Sequence, residues 1–244
     1  MCSAQDDSPM GRLSELDAER AVAALLQHAR DFHAKGWMWG TAGNLSVKLN
    51  DSPLTIAISG SGASKGEMQY ADLAVLPAGE RAKLKWLGEG ARKPSAETII
   101  HQAVYERLPD IGAVYHVHTV ASTALSLEAA KLGSLAYIDV KNLEMLKGWD
   151  IPWRGGTITA AIPVIPNHER MDVLAQGFAK LIGKGLSAPI IVAAGHGITV
   201  WGKTPEETRN RIEIAEFIFH TLWEQAKAKL RAKNFALRGT ARKR

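Results

Sequence analysis

The sequence has few of the features that would place it outside a reducing compartment or in a membrane. Its 244 residues include a single cysteine, Cys2, which cannot form a disulfide within the chain. No apolar run approaches the roughly 20 residues that are needed to cross a bilayer. The first residues carry Asp6 and Asp7 where a secretory signal would have a basic segment followed by an apolar one. These absences predict a cytoplasmic protein without a membrane span.

The positive charge of the chain is concentrated at its C-terminal end. The formal net charge is +5 at pH 7, but residues 227–244 contain eight lysines and arginines and no acid, so the rest of the chain carries −3. Such a segment is typically a solvated, frayed chain end, with binding to nucleic acid or another anionic surface as the alternative. We therefore predict a basic C-terminal tail over residues 226–244 and expect no nucleic-acid partner.

Strand-like and helical segments alternate along the rest of the chain. Hydrophobic and charged residues make up 46% and 23% of the sequence, which are ordinary values for a globular protein. No repeat and no linker rich in Pro, Gly or Ser divides the chain, and the connections between strands are too uneven for a regular βαβ repeat. The sequence predicts a flexible leader over residues 1–12 and one α/β domain over residues 13–225, with α/β/α layers and a mainly antiparallel or mixed sheet.

Hydrophobic spacing and capping signals predict the individual elements. Helices are predicted from Ser14 to Gly36, after Pro94, at 120–125, at 142–148, at 171–182 and from Thr204 into the basic tail. Strands are predicted at 45–49, 54–58, 73–76, 84–87, 113–119, 161–165, 189–194 and 198–201.

The predicted strand 113–119 contains two histidines separated by one residue. In a strand, His116 and His118 point to the same face and could share one metal ion. The alternative is a pair of surface histidines that binds nothing. His196, which lies between two glycines after the strand predicted at 189–194, is the candidate for a third ligand. Three neutral histidines leave a divalent metal with open positions, as in catalytic rather than structural sites.

Two glycine-rich segments and a glutamate could add further groups to such a site. The N–H groups and hydroxyls of residues 36–46 and 59–66 could bind a phosphate, but neither segment has a nucleotide-binding fingerprint and each could be an ordinary turn. Glu97 lies in the first turn of a predicted helix, where the helix dipole favours a carboxylate with or without a catalytic role. Glu97 and His101 are four residues apart and form a rival, lower-ranked ligand pair.

Five short motifs occur in an order that is typical of a known family. They are Gly43-Asn44-Leu45-Ser46, Ser59-Gly60, Pro94-Ser95-Ala96-Glu97, His116-Val117-His118 and Gly195-His196-Gly197. From about Leu13 to Gln225, the chain resembles the superfamily of class II sugar-phosphate aldolases, epimerases and adducin heads. The resemblance implies a central, mostly antiparallel sheet flanked by helices, and a homotetramer with active sites at subunit interfaces. It also implies Zn²⁺ or another divalent ion, one per subunit, bound by His116, His118 and His196.

Within this superfamily, the chain most resembles the dehydratases that act on methylthioribulose 1-phosphate in methionine salvage. Ala96 stands where the aldolases usually have a second serine, and residues 142–148 look like the dehydratase segment whose glutamate is the general acid/base. The resemblance implies a hydro-lyase that removes water from a ketose phosphate to give a diketone phosphate. Glu144 would transfer protons. Glu97 would be a second proton carrier, a metal ligand, or a residue that contacts the ligands without binding the metal. The residues implied for the substrate phosphate are Asn44, Ser59, Gly60, Lys65 and Ser95.

The resemblance leaves two other functions open. One is an aldolase or epimerase that acts on another phosphorylated ketose, of the fuculose- or ribulose-phosphate type. The other is a non-catalytic module like the adducin head, against which the three retained histidines argue. Residues 164–170 and the aromatic loop 149–156 depart from the usual dehydratase form and could reshape the pocket for a different substrate side chain.

Overall fold

The computed structural model describes residues 13–88, 92–130 and 134–241, with side chains up to residue 233. The leader predicted over residues 1–12 lies outside the described residues, as does the end of the basic tail, residues 242–244.

A single sheet lies at the centre of the described residues. Its strands are β1 (Asn44–Asp51), β2 (Leu54–Ser59), β3 (Leu73–Leu76), β4 (Ala113–Val117), β5 (Ala136–Lys141), β6 (Thr159–Ile165), β7 (Ile190–Ala193) and β8 (Gly197–Gly202). The eight strands are arranged in the order β3-β2-β1-β4-β8-β7-β6-β5. All neighbours are antiparallel except β6 and β7, which are parallel. The predicted mostly antiparallel sheet is confirmed.

Helices cover both faces of the sheet. The described α-helices are α1 (Glu15–Ala34), α2 (Thr98–Arg107), α3 (Val120–Ala129), α4 (Met171–Ile182) and α5 (Pro205–Ala241). One hydrophobic cluster joins α1 and α5 to one face of the sheet, and a second joins α2 and α4 to the other. Because side chains alternate along a strand, the adjacent residues Tyr115 and Val114 belong to different clusters. This arrangement is the predicted α/β/α layering.

Three elements differ from the prediction. The strand predicted at 84–87 is a 3-10 turn, Lys85–Leu87, whose Leu87 is buried, so its apolar residues pack against the core instead of pairing in the sheet. The helix predicted at 142–148 is a 3-10 helix, Glu144–Trp149. β5 was not predicted, because it is an edge strand in which only Val140 is fully buried, and its hydrophobic pattern is correspondingly weak.

The last helix extends through much of the segment predicted as a basic tail. α5 continues to Ala241, and Leu230 within it is 60% exposed. Alanine, lysine, leucine and arginine dominate this segment and favour helix, so α5 continues into it, as predicted. The domain boundary at residue 225 remains a prediction. Within the described ranges, no helix combines the length and the apolar character needed to cross a membrane.

Candidate metal and active site

His116 lies near the C-terminal end of the central strand β4, in a row of polar residues that crosses three neighbouring strands. It pairs with Asn44 of β1 on one side and with Thr199 of β8 on the other. Its Nδ1 is 3.1 Å from Thr199 Oγ1. This contact orients the ring so that Nε2 faces away from Thr199, toward the end of β4. His118 follows β4, and its backbone N–H donates to the Trp37 carbonyl at 2.9 Å.

His196 enters the site from the tight turn between β7 and β8. Gly195 has a φ of 65°, in the left-handed region that favours glycine. At Gly197 there is no room for a side chain, because a Cβ would lie 2.5 Å from the Val117 carbonyl oxygen. The two glycines therefore allow the turn to bring His196 against the other two histidines. The three ring centroids are 4.7 to 4.9 Å apart.

Glu97 approaches the histidines from the N-terminal end of α2. Its Oε1 is 2.9 Å from His196 Nε2, and its Oε2 is 3.7 Å from His116 Nε2. The Nε2 atoms of His116 and His118 are 2.8 Å apart. One ligand atom from each of these four residues lies within 4.8 Å of the others. Imidazole nitrogens with one carboxylate suit zinc and related divalent ions, so this metal cluster (Glu97, His116, His118 and His196) fits a metal ion.

Burial and the neighbouring groups shift the pKa values of three members of the metal cluster, His116, His118 and Glu97. Burial, assisted by the charges of His116 and His196, lowers the pKa of His118 to about 3. Burial also lowers the pKa of His116. For Glu97, burial opposes ionisation, but the attraction of His116 and His196 outweighs it and holds the pKa of the carboxyl well below its ordinary value. To bind a metal, imidazoles must be deprotonated and the carboxylate ionised, and the low pKa values of His118 and Glu97 favour these forms.

A pocket of about 180 Å³ adjoins the metal cluster, and Glu97 and His118 form part of its wall. Four of the residues predicted to bind phosphate line this pocket: Asn44, Gly60, Lys65 and Ser95. Lys65 is almost fully buried, and its Nζ donates to the carbonyls of Thr41 at 2.8 Å and Ala63 at 2.9 Å. Burial lowers the pKa of Lys65 to about 8, so the ammonium group is still mostly charged at neutral pH. Lys65 therefore contributes a positive charge to the wall of the pocket, which also contains the Glu97 carboxylate.

Two residues singled out in the sequence are directed elsewhere. Ser59 is fully buried, and its Oγ accepts a hydrogen bond from the Leu45 N–H at 3.0 Å, which ties β2 to β1. Its hydroxyl is therefore directed at the backbone and not into the pocket. His101 contacts Ser46 Oγ through Nδ1 at 2.7 Å and Asn44 Oδ1 through Nε2 at 2.5 Å. The rival ligand pair of Glu97 and His101 is therefore not formed.

Within one chain, Glu144 does not reach the metal cluster. His196 follows the C-terminal end of β7, and because β6 is parallel to β7, the C-terminal end of β6 lies at the same end of the strands. β5 is antiparallel to β6, so its last residue, Lys141, lies at the opposite end of the strands. A six-residue strand spans about 20 Å, and Glu144 follows only three residues after Lys141. The Glu144 side chain is 75% exposed and forms a salt bridge with Lys147 at 2.7 Å.

Sequence reasoning missed Thr199, which orients His116. Thr199 is a polar residue within the otherwise apolar run Ile198–Trp201, and its side chain is buried. A buried hydroxyl normally has a hydrogen-bond partner, so a threonine in this apolar run indicates a side-chain hydrogen bond in the core. The partner could not be named, because the register between β4 and β8 is not visible in the sequence.

The chain belongs to the class II aldolase and adducin family. Residues 23–223 match the family described as Class II Aldolase and Adducin N-terminal domain. Among its relatives, a methylthioribulose-1-phosphate dehydratase from Persephonella marina is 34% identical over 208 residues, which cover 85% of this chain and 91% of the relative. A protein of the same name from Geobacillus kaustophilus is 37% identical over 187 residues, which cover 76% of this chain and 83% of that protein.

Solved structures give the same result for the fold. A putative aldolase/epimerase/decarboxylase from Klebsiella pneumoniae superposes with a TM-score of 0.63 at 25% identity, covering 85% of this chain and 90% of that one. An L-fuculose 1-phosphate aldolase also has a TM-score of 0.63, at 23% identity, covering 88% of this chain and 87% of that one. The fold and the family predicted from the sequence are both confirmed.

Proposed function

We propose that the chain is a metal-dependent methylthioribulose-1-phosphate dehydratase, a hydro-lyase of methionine salvage. The reaction converts 5-methylthioribulose 1-phosphate into 2,3-diketo-5-methylthiopentyl 1-phosphate. The observation that carries the proposal is that a metal cluster and a pocket containing a buried lysine adjoin and share Glu97 and His118. The names of the relatives from Persephonella marina and Geobacillus kaustophilus support the choice of substrate. A free sugar phosphate as substrate agrees with the cytoplasmic location expected from the sequence.

The donor set favours Zn²⁺, one ion per subunit, with His116, His118 and His196 as its ligands. A bound ion of this kind acts as a Lewis acid that stabilises negative charge on the substrate's oxygens. Thr199 keeps the His116 ring in the orientation that presents Nε2. Glu97 contributes the only carboxylate among the four clustered residues.

The phosphate group is assigned to the pocket between the two glycine-rich segments. An ammonium group has three hydrogens, and two of those on Lys65 are used by the carbonyls of Thr41 and Ala63, so the third is free for an anion. Ser95 Oγ accepts from the Glu97 N–H at 3.3 Å, which leaves its own hydrogen available to a phosphate oxygen.

Proton transfer is assigned to Glu144. The reaction removes the C3 proton and expels the C4 hydroxyl as water, so a group must accept one proton and deliver another. An exposed carboxylate at the position of the dehydratases' general acid/base suits this role. Because β5 directs Glu144 away from its own metal cluster, the residue would act in the site of a neighbouring subunit. Tyr137 on β5 and Met145 beside Glu144 are 52% and 38% exposed and are available for contact between subunits.

A retro-aldol lyase acting on another phosphorylated ketose is the second candidate. The observation in its favour is that Glu97, and not Glu144, lies at the metal cluster within the chain. A metal cluster with only this carboxylate suits abstraction of a proton or cleavage of a bond next to a carbonyl.

Product analysis separates the two candidates. The zinc-loaded protein is incubated separately with methylthioribulose 1-phosphate and fuculose 1-phosphate, and the products are identified by mass spectrometry. We expect the first substrate to lose water without cleavage of a carbon–carbon bond, and the second to remain intact. Cleavage of either substrate into two smaller carbonyl compounds, with no dehydrated product, would overturn the dehydratase assignment.

A further inference from the structure

A continuous line of polar side chains runs from the interior of the protein to Glu97. Tyr105 Oη is 2.9 Å from Ser46 Oγ, and Ser46 Oγ is 2.7 Å from His101 Nδ1. His101 Nε2 is 2.5 Å from Asn44 Oδ1, and Asn44 Nδ2 donates to Glu97 Oε2. His101 is 1% exposed, and Asn44, Ser46 and Tyr105 are also buried. Buried polar groups that satisfy one another in this way hold a single arrangement.

The line follows directly from the periods of the two elements that supply it. Asn44 and Ser46 are two residues apart on β1 and point to the same face of the sheet. Glu97 precedes the first residue of α2, and His101 and Tyr105 follow on α2 at intervals of four residues, which places all three on one stripe of the helix. This stripe packs on β1, so that Asn44 and Ser46 alternate with Glu97, His101 and Tyr105 along the line. Each hydrogen bond of the line therefore joins a residue of β1 to a residue of α2 or its N-cap.

Donors and acceptors along the line have one consistent assignment. The ionised Glu97 can only accept, so the amide nitrogen of Asn44 faces it and Asn44 Oδ1 faces His101. His101 must then carry its hydrogen on Nε2 and accept from the Ser46 hydroxyl at Nδ1. Burial lowers the pKa of His101 to about 3, so the ring is neutral at physiological pH and keeps this tautomer.

We propose that His101 is a positioning residue, which fixes the Asn44 amide and through it holds the Glu97 carboxylate against His196 and His116. Without the N–H of His101, the Asn44 side chain could turn its oxygen toward Glu97 and repel the carboxylate. The residue therefore sets the affinity of the metal cluster for its ion without touching that ion. This inference rests on the metal site of the proposed function, and it goes beyond that function by assigning a role to a histidine that is not a ligand.

Variants of His101 test the proposal in the full-length protein. The amide of His101→Gln can still donate to Asn44, His101→Leu has no donor, and His101→Asn is too short to reach Asn44. We expect His101→Leu and His101→Asn to lose about 10- to 100-fold in zinc affinity, and His101→Gln to stay within about threefold of the wild type. Zinc affinity is measured by competition with a chelating dye, so the readout does not depend on the substrate.

Unfolding midpoints distinguish positioning from a general loss of packing. Tyr105→Phe removes a hydroxyl at the far end of the line, and we expect it to lower the midpoint while leaving zinc affinity unchanged. The proposal is wrong if the folded His101→Leu and His101→Asn variants bind zinc as tightly as the wild type, or if His101→Gln loses as much affinity as they do. A wild-type protein that binds zinc but does not dehydrate its substrate would refute the proposed function alone.

Discussion

Replacing Gly197 by alanine perturbs the metal cluster without changing any of its ligands. The added Cβ would lie 2.5 Å from the Val117 carbonyl oxygen, 2.9 Å from His116 Cε1 and 3.0 Å from His118 Cδ2. Ordinary van der Waals contact begins at 3.4 Å, so the backbone oxygen and the added carbon must separate by about 0.9 Å. This displacement occurs where Val117 pairs with Ile198, at the ends of β4 and β8.

The size of the effect follows from that displacement. Overpacking in a well-packed region costs about 1–3 kcal/mol in the free energy of unfolding. Two of the three atoms nearest to the added Cβ belong to proposed ligands, so part of the movement is transmitted to the metal cluster. Functional groups must be held within about 0.5 Å of their productive positions. We therefore expect Gly197→Ala to lower kcat/KM and zinc affinity by at least about tenfold each.

Gly177→Ala is the matched control. A Cβ at this position in α4 would lie 3.5 Å from Ile165 Cδ1, an ordinary contact. Alanine is favoured over glycine in a helix by about 0.5–1 kcal/mol, so this variant should be more stable than the wild type and bind zinc equally well. Urea unfolding, chelator competition and turnover are compared for the three proteins. Gly197→Ala with wild-type zinc affinity and turnover would refute the reasoning.

Three further changes have defined outcomes. His118→Ala should remove stoichiometric zinc and turnover while the far-UV circular dichroism is unchanged, and retained zinc would exclude His118 as a ligand. Ser59→Ala leaves the buried Leu45 N–H without its acceptor and should cost about 1–3 kcal/mol in stability without changing KM, whereas a raised KM would restore the phosphate role. The pKa of Lys65 is about 8 in the folded protein and 10.5, its ordinary value, in the unfolded chain. Between these two pH values, the unfolded chain keeps a proton on Lys65 that the folded protein has lost. The unfolding free energy of the wild type should therefore rise with pH across that window relative to Lys65→Met, and parallel pH profiles of the two proteins would contradict this.

The grouping of His116, His118 and His196 could be predicted from the sequence because short-range periodicity is sufficient to place them. His116 and His118 share a face in any strand, and a histidine between two glycines after a buried strand projects from a sheet edge. Asn44, Gly60, Lys65 and Ser95 were found through the resemblance to a family, and the structure brings them to one pocket. These residues belong to short local motifs, so they can be identified in this sequence by comparison with the same motifs in the family.

The remaining features depend on register and topology. The contact of Thr199 with His116 requires the pairing of β4 with β8, and the hydrogen bond of Ser59 to Leu45 requires that of β1 with β2. The separation of Glu144 from the histidines follows from the directions of β5, β6 and β7, and β5 is the strand that the sequence pattern missed. Long-range strand pairing of this kind leaves little trace in local hydrophobic periodicity.

In the proposed enzyme, a complete active site contains the histidines of one chain and Glu144 of its neighbour. Mixing two inactive variants tests this arrangement most directly. His118→Ala and Glu144→Gln chains, with different affinity tags, are co-expressed, and oligomers that contain both are purified and assayed for the dehydrated product. Random assembly combines intact histidines with an intact Glu144 at roughly a quarter of the sites, and selection for both tags raises this fraction, so dehydration should return to at least about that level. Mixed oligomers as inactive as either parent would show that Glu144 does not complete the site of a neighbouring subunit.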